Sequence, residues 1–263
     1  MFVPFVVHYL LMKRVGLGAA FLVCATAAAA VSPARAGSEG PEVVQRAASL
    51  NAVAMSGAFI EERHIDLNVS AGPAHYSEQN DAMVLIEDGA YKHMRYMRIV
   101  QNGKVLSADD LTQRESQNND DLEHGKAFFK QPFDARYLRD YTYTDTACAC
   151  GPHARQIAFH SDVRDDQHGD GTMVIDPSTG LVMNVTYTPN VLPQHASSAT
   201  TVETFGEAVP GVWTVVRIDR TYGGHVAFIR GTGTMTERLD HFQRFGSPVA
   251  AMQYLQRASA SSK

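Results

Sequence analysis

The hydrophobic period of the chain changes once, near residue 57, and that change divides the predicted elements. Pro41 to Leu50 places apolar residues at 43, 44 and 47, continued at 50 and 54. This is the spacing of one helical face, with proline in the first turn, where its missing N–H has no helical partner to lose. One amphipathic helix is expected. From Gly57 the period shortens to two: Phe59, Ile65, Leu67 and Val69 fall on one side, Ile60, Glu62, His64 and Asp66 on the other. That alternation predicts a strand. AGPAHYSEQND at 71–81 reads as a break, 83–87 and 91–100 read as strands, and Asn102-Gly103 is a two-residue hairpin signal. Ser107 then stands as the N-cap of a helix with Asp109 and Asp110 in its first turn and Gly125 as its stop. Only Leu111 and Leu122 interrupt its polar surface, so it is expected to lie on the outside.

Beyond Phe133 the pattern is strand and turn: 137–144, 155–160, 172–176, 181–188, 200–204, 212–221, 226–231 and 234–245. Turn signals such as Asp176-Pro177-Ser178-Thr179-Gly180 and Tyr222-Gly223-Gly224 imply an antiparallel meander. Several strands are apolar on both faces, including MVLI at 83–86, MVI at 173–175, LVM at 181–183, VWTVVRI at 212–218 and VAFI at 226–229. A one-sided antiparallel sheet alternates, so both faces here require cover. A sandwich or helix-covered sheet satisfies this, and so does a curved sheet with an apolar cavity closed by the two helices. The eight methionines after residue 36 suit either a pocket or a core.

The N-terminus changes the compartment. Lys13 and Arg14 precede an apolar run, Val15 to Val31, that ends in Pro33-Ala34-Arg35-Ala36-Gly37. This is the layout of a secretory signal peptide over 1–36, cut between Ala36 and Gly37. Met12 before Lys13-Arg14 makes a more ordinary start than Met1. Seventeen residues, mostly small, fall short of the ~20 needed to span a bilayer. Cys24 follows Val23, not the small residue that a lipid-modified cysteine requires. Removal of 1–36 takes three basic residues and no acidic ones, leaving 20 Lys and Arg against 28 Asp and Glu, a net charge of −8. Nucleic acid is excluded as a partner, because its phosphates demand a basic footprint. The expected organisation is one domain over 37–245 with a short C-terminal tail, 246–263, and a monomer in the periplasm is expected.

DGAYKHMRYMRIVQNGKVLSADD, GTMVIDPSTG and the terminal LDHFQRF together resemble a group of uncharacterised bacterial secreted proteins. Their fold is similar to the periplasmic LolA-like family that sorts outer-membrane lipoproteins. The resemblance covers about residues 41–245. It implies a mainly β fold with a few helices, an unclosed antiparallel half-barrel under a helical lid. It also implies an apolar cavity that holds lipid or the acyl chains of a lipoprotein. Related half-barrels serve as envelope sensors, so a protein partner without lipid is the alternative. No cavity residue is carried over.

The polar groups are weaker signals. Asp165-Asp166-Gln167-His168-Gly169-Asp170-Gly171 has the Asp density of a calcium loop, but counting from Asp166 puts Pro177 where a bidentate Glu is required. A solvated hairpin tip is expected there. No H-E-x-x-H, G-x-S-x-G or phosphate loop occurs, so no catalytic residue, no enzyme activity and no cofactor are assigned. Arg217, Asp219 and Arg220 interrupt an apolar strand; a buried ion pair or headgroup contact and an edge position both fit.

Cys148 and Cys150 are the only cysteines left after export, with His153 close by. In an oxidising compartment an even pair ends as a disulfide. A Cys148–Cys150 bridge across one residue is strained but feasible, and a local clasp is the favoured reading. A soft-metal site from Cys148, Cys150 and His153, with His160 and His168 near by, ranks second. A redox pair ranks third, because that chemistry uses C-x-x-C at a helix N-terminus.

Overall fold

The computed structural model describes residues 41–258, apart from 126–127, 148–149, 152–153, 193–194 and 227–228. Eleven strands form one antiparallel sheet, with helix α1 (Glu42–Ala54) ahead of it, α2 (Ala108–Glu123) in the middle and α3 (Pro248–Ala258) at the end. In chain order the strands are β1 (Ala58–Ala71), β2 (Ala74–Glu87), β3 (Ala90–Gln101), β4 (Lys104–Val105), β5 (Thr142–Thr146), β6 (Arg155–His160), β7 (Gly169–Ile175), β8 (Val182–Pro189), β9 (Ala196–Val209), β10 (Val212–Val226) and β11 (Ile229–Phe245). Their spatial order is β4-β3-β2-β1-β11-β10-β9-β8-β7-β6-β5. Two meanders are thus joined by the β1–β11 ladder, and the sheet is open, with β4 and β5 as its edges. This is the mainly β, unclosed half-barrel with helical cover that the sequence led us to expect.

Register puts one set of alternating side chains on the face that α1 and α2 cover. Along β1 these are Phe59, Glu61, Arg63, Ile65, Leu67 and Val69, all buried. We call this the inner face. Over β6–β8 its buried side chains are apolar, and there Ile157, Phe159, Met173, Ile175 and Val185 pack with Val43, Val44 and Ala47 of α1. Gly171 is required there, since a Cβ would stand 2.0 Å from the Thr186 carbonyl oxygen. Over β1–β3, Phe59, Val84, Met94, Tyr96 and Ile99 pack with Leu122 of α2. Asn102 and Gly103, at φ +49° and +78°, make the β3–β4 turn, the left-handed pair that a two-residue hairpin needs.

Three expectations need correction. Residues 71–81 are not a break: only the turn at 72–73 interrupts the chain, and Tyr76, Glu78 and Asn80 face inward on β2. The stretch read as a C-terminal tail carries α3, whose Ala251 and Leu255 are fully buried against Ala58, Ile60, Met83 and Leu85 on the outer face. That contact gives MVLI its second cover, whereas Met183 is left exposed. The tip expected at 165–171 is solvated only in part: Asp166 and Asp170 are exposed, but His168 is buried, its Nδ1 2.8 Å from Asp165 and its Nε2 3.3 Å from Asp140. The Asp165 carboxylate caps this turn by accepting from the Gln167 and His168 backbone N–H groups.

Candidate functional site: a charged band on the inner face

A row of ionisable groups crosses the middle of the inner face. Strand pairing sets Leu67 opposite Glu78, Ile65 opposite Asn80 and Glu237, and Ile218 opposite Glu237 and Glu203. The band therefore runs over β2, β1, β11, β10 and β9. Arg63 donates through Nε to Glu61 at 2.6 Å and through Nη1 to Glu237 at 3.4 Å. Arg220 donates to the other Glu237 oxygen at 2.6 Å. Glu237 thus links two guanidinium groups inside the sheet.

Each end of the band is completed by a different element. On β2, Glu78 accepts from Asn80 at 3.0 Å, Gln101 at 3.2 Å, Tyr76, and Arg114 of α2 at 3.2 Å. On β9, Glu203 accepts from Gln131 at 2.5 Å and from Tyr187 at 3.2 Å. Arg114, Asn118 and Asn119 of α2 are therefore contacts to the sheet, while Asp109, Gln113, Ser116 and Gln117 form its solvated face. Asn119 brackets Met94 on β3 through the backbone N–H and carbonyl, at 2.7 and 3.0 Å, and Asn118 donates to Tyr96.

Burial and charge act in opposite directions along the band. Desolvation drives Glu61 and Glu203 above the ordinary carboxylate range, and Arg63 and Arg220 only partly offset it. Glu78 also loses solvation, but the hydrogen bond from Tyr76, the charge of Arg114 and the amides of Asn80 and Gln101 outweigh that loss and hold it low. Burial favours neutral Arg63, while Glu61, Tyr91 and Glu237 keep it charged. Its guanidinium lies 4.6 Å from the Tyr91 ring centroid and 5.1 Å from that of Phe128. Those two rings stack on each other at 3.8 Å.

Two cavities adjoin the band. The larger, about 440 Å³, lies between the sheet and the segment 128–137 and is lined by Phe128, Phe129, Phe133, Phe205, Glu203 and Arg220 among others. It falls within the ~300–1,000 Å³ range of small-ligand sites. The smaller, about 50 Å³, reaches Arg63, Glu78, Asn80, Arg220 and Glu237. Arg63 Nη2, Asn80 Oδ1 and Gln131 Oε1 are buried without a hydrogen-bond partner among the described residues, and each of the three residues lines one of these cavities. Each such atom costs about 1–3 kcal/mol, so a polar group entering these cavities finds donors and acceptors already waiting.

Of the candidates read from sequence, Arg217 and Asp219 pair with each other at 2.6 Å on the outer face, half-exposed, whereas Arg220 belongs to the band. The buried ion pair reading therefore holds for Arg220 with Glu237, whereas Arg217 and Asp219 are a surface pair on an interior strand, not on an edge of the sheet. His160 is bound by Asp170 and Asp162 on the outside, and His168 by its own carboxylates, so each has its own partners. The Cys148–Cys150 clasp and the metal set with His153 rest on Cys148 and His153, which lie outside the described residues; Cys150 is disulfide-bonded. Among the described residues, one grouping of His, Asp and Glu is close enough to hold a metal, and it lies on the outer face. Alternation does contain the signal for the band: Glu61 and Arg63 share the odd phase of Phe59 and Ile65, and Glu78 and Asn80 share that of Ala82 and Val84.

No family model matches the chain, and no curated protein matches it. Solved structures with a similar fold include a putative outer membrane lipoprotein-sorting protein domain from Vibrio parahaemolyticus, at 10% identity and a TM-score of 0.44, covering 83% of this chain and 99% of that one. A DUF1329 family protein from Desulfovibrio piger gives 10% identity and 0.39, covering 78% and 92%. A LolA superfamily protein from Nitrosomonas europaea gives 9% and 0.39, covering 79% and 96%.

Proposed function

We propose that this chain is a non-enzymatic binding protein of the bacterial periplasm that holds an acyl-bearing amphiphile, a lipid or the lipid end of a lipoprotein. The observation that carries this reading is the cavity of about 440 Å³ between the sheet and residues 128–137. Phe128, Phe129, Phe133, Phe205 and Ile218 offer an apolar surface for a chain, and Glu203, Arg220 and Gln131 offer both donors and acceptors to a polar end. Sites of this kind combine an apolar lining with a few placed polar groups. The covering segment is anchored by Tyr141 and Tyr143, which donate to the carbonyls of Lys130 and Pro132 at 2.5 and 2.6 Å. Those anchors make the cover of the cavity a single packed piece.

The proposed compartment follows from the signal-peptide pattern at 1–36, and no helix among the described residues is long and apolar enough to cross a membrane. Native mass spectrometry with lipid extraction, on chain exported to a bacterial periplasm and purified without detergent, tests the proposal. A mass excess that resolves into acylated species is expected. A clean apo mass, with no uptake of added phospholipid or acylated peptide, overturns lipid binding and leaves the inner face to a protein partner.

A further inference from the structure

The outer face carries a different chemistry, at a β-bulge that breaks the β1–β11 ladder. Ile60 pairs with Gln243 and Glu62 with Asp240, so β11 spends one residue more than β1 over the same distance. His241 has the left-handed backbone of that bulge, φ +47°. Bulges re-aim side chains. Here Leu239 and Phe242 are buried, while Asp240 and His241, consecutive in sequence, both reach the outer surface, where strict alternation would have separated them.

Three donors converge as a result, one atom each of Glu62, His64 and Asp240 lying within 4.8 Å of the others, and His241 stands against two of them. His241 Nδ1 lies 2.9 Å from Glu62 Oε2 and 3.1 Å from Asp240 Oδ1, and His64 Nε2 lies 3.4 Å from the same Asp240 oxygen. Donors around a tetrahedral zinc ion, with bonds of ~2.0–2.2 Å, stand about 3.3 Å apart. The second imidazole nitrogen of His64 supplies an independent sign: Nδ1 is held 2.8 Å from Asp81 Oδ1 on β2. A carboxylate on the far nitrogen fixes the ring and its tautomer, which is the usual outer-shell partner of a metal-binding histidine. Three carboxylates thus surround two imidazoles, and Arg238, opposite His64 in β11, is a positive charge beside them.

We infer that Glu62, His64 and Asp240, joined by His241 when the ion enters, form a surface site for a divalent transition metal with mixed nitrogen and oxygen ligands, with Asp81 as the positioning carboxylate. Nitrogen and carboxylate donors without thiolate suit zinc, nickel or copper(II) rather than calcium, which takes oxygen alone. The site is separate from the inner-face cavity, so it stands whether or not lipid binding does.

Calorimetric titration of zinc into the full, untagged, disulfide-bonded chain stripped with chelator tests the inference. One equivalent is expected to bind, tenfold or more weaker in His64→Ala and in His241→Ala, and about 10–100-fold weaker in Asp81→Asn. His160→Ala, on a separate carboxylate pair, leaves the affinity unchanged. Imidazole nitrogen NMR of the unmutated chain provides a readout free of folding effects: zinc is expected to move His64 Nε2 and His241 Nδ1 together. No saturable zinc binding, or binding that survives the double His64→Ala and His241→Ala variant, overturns the site and leaves an ion-paired histidine cluster.

Discussion

Met173 on β7 and Arg63 on β1 face the same side of one sheet, and both are almost wholly withdrawn from water, yet they are retained by opposite means. Met173 lies among Ile157, Val185 and Phe159, a surface of the kind that buries apolar area and asks nothing of its neighbours but shape. Arg63 requires Glu61, Glu237 and two aromatic rings to hold a charge where solvent cannot. Replacing such a group by an apolar one of similar volume is often harmless when the whole network is replaced, and costly when one partner is left behind. The apolar half of the inner face is a core. The charged half is arranged around cavities, and its unpartnered atoms point to a role other than stability.

The largest expected effect breaks the charged half. Arg63→Met leaves Glu61 and Glu237 buried without their shared cation, and should lower stability at pH 7 by about 3–5 kcal/mol. Because loss of Arg63 raises Glu61 further, protonation relieves the variant, so the deficit should shrink towards pH 5. Met173→Ala should cost about 2–5 kcal/mol with no such dependence. Denaturant unfolding of both variants at the two pH values separates them, and a pH-independent Arg63→Met would show that the carboxylates are not the cause.

Glu203 sharpens the comparison through its sign. Burial raises its folded value, so the folded chain holds this proton to higher pH than the unfolded chain does. That contribution to stability is complete below the unfolded carboxylate value and is lost as pH rises through the folded one. Stability relative to Glu203→Gln should therefore fall between about pH 4.5 and neutrality. Thermal unfolding of the pair across that window checks it, and a difference that grows with pH would reverse the assignment.

Smaller effects belong to the periphery. A Cys148–Cys150 clasp closes so short a ring that chain entropy supplies about 1–2 kcal/mol, so mild reduction should shift the thermal midpoint only slightly. A loss well beyond this would mean that Cys150 is joined elsewhere. Ser107→Ala should cost about 1 kcal/mol, since the Ser107 hydroxyl accepts from the Asp110 N–H at 3.2 Å. If α2 is a working cover and not decoration, the same variant should also expose Glu78 as the Arg114 contact loosens, which hydrogen exchange at Met94 would register.

Much of the architecture was legible because period and turn chemistry are local. Asn102-Gly103, the Ser107 cap and the strand at 155–160 needed nothing beyond their neighbours. The band was harder to see because its members come from five strands, and only the β1–β11 junction, a contact between the two ends of the domain, brings Arg63 to Glu237. Tyr76, Glu78 and Asn80 lay hidden in a stretch that looks like a loop by composition, because their burial is possible only with Arg114 and Gln101 beside them. Helix α3 was missed for a related reason: only Ala251 and Leu255 of its apolar residues are fully buried, and the outer-face patch they cover is assembled from β1 and β2.

The central claim is that the charged band serves the polar end of a bound amphiphile. It is tested most directly by displacement titration of a lysophospholipid against the native chain and Arg220→Met, with far-UV circular dichroism confirming the fold of both. Saturable binding of one molecule to the native chain is expected, at least tenfold weaker in Arg220→Met. Equal affinity in the two chains, or no saturable binding to either, would contradict it and leave the band a structural network only.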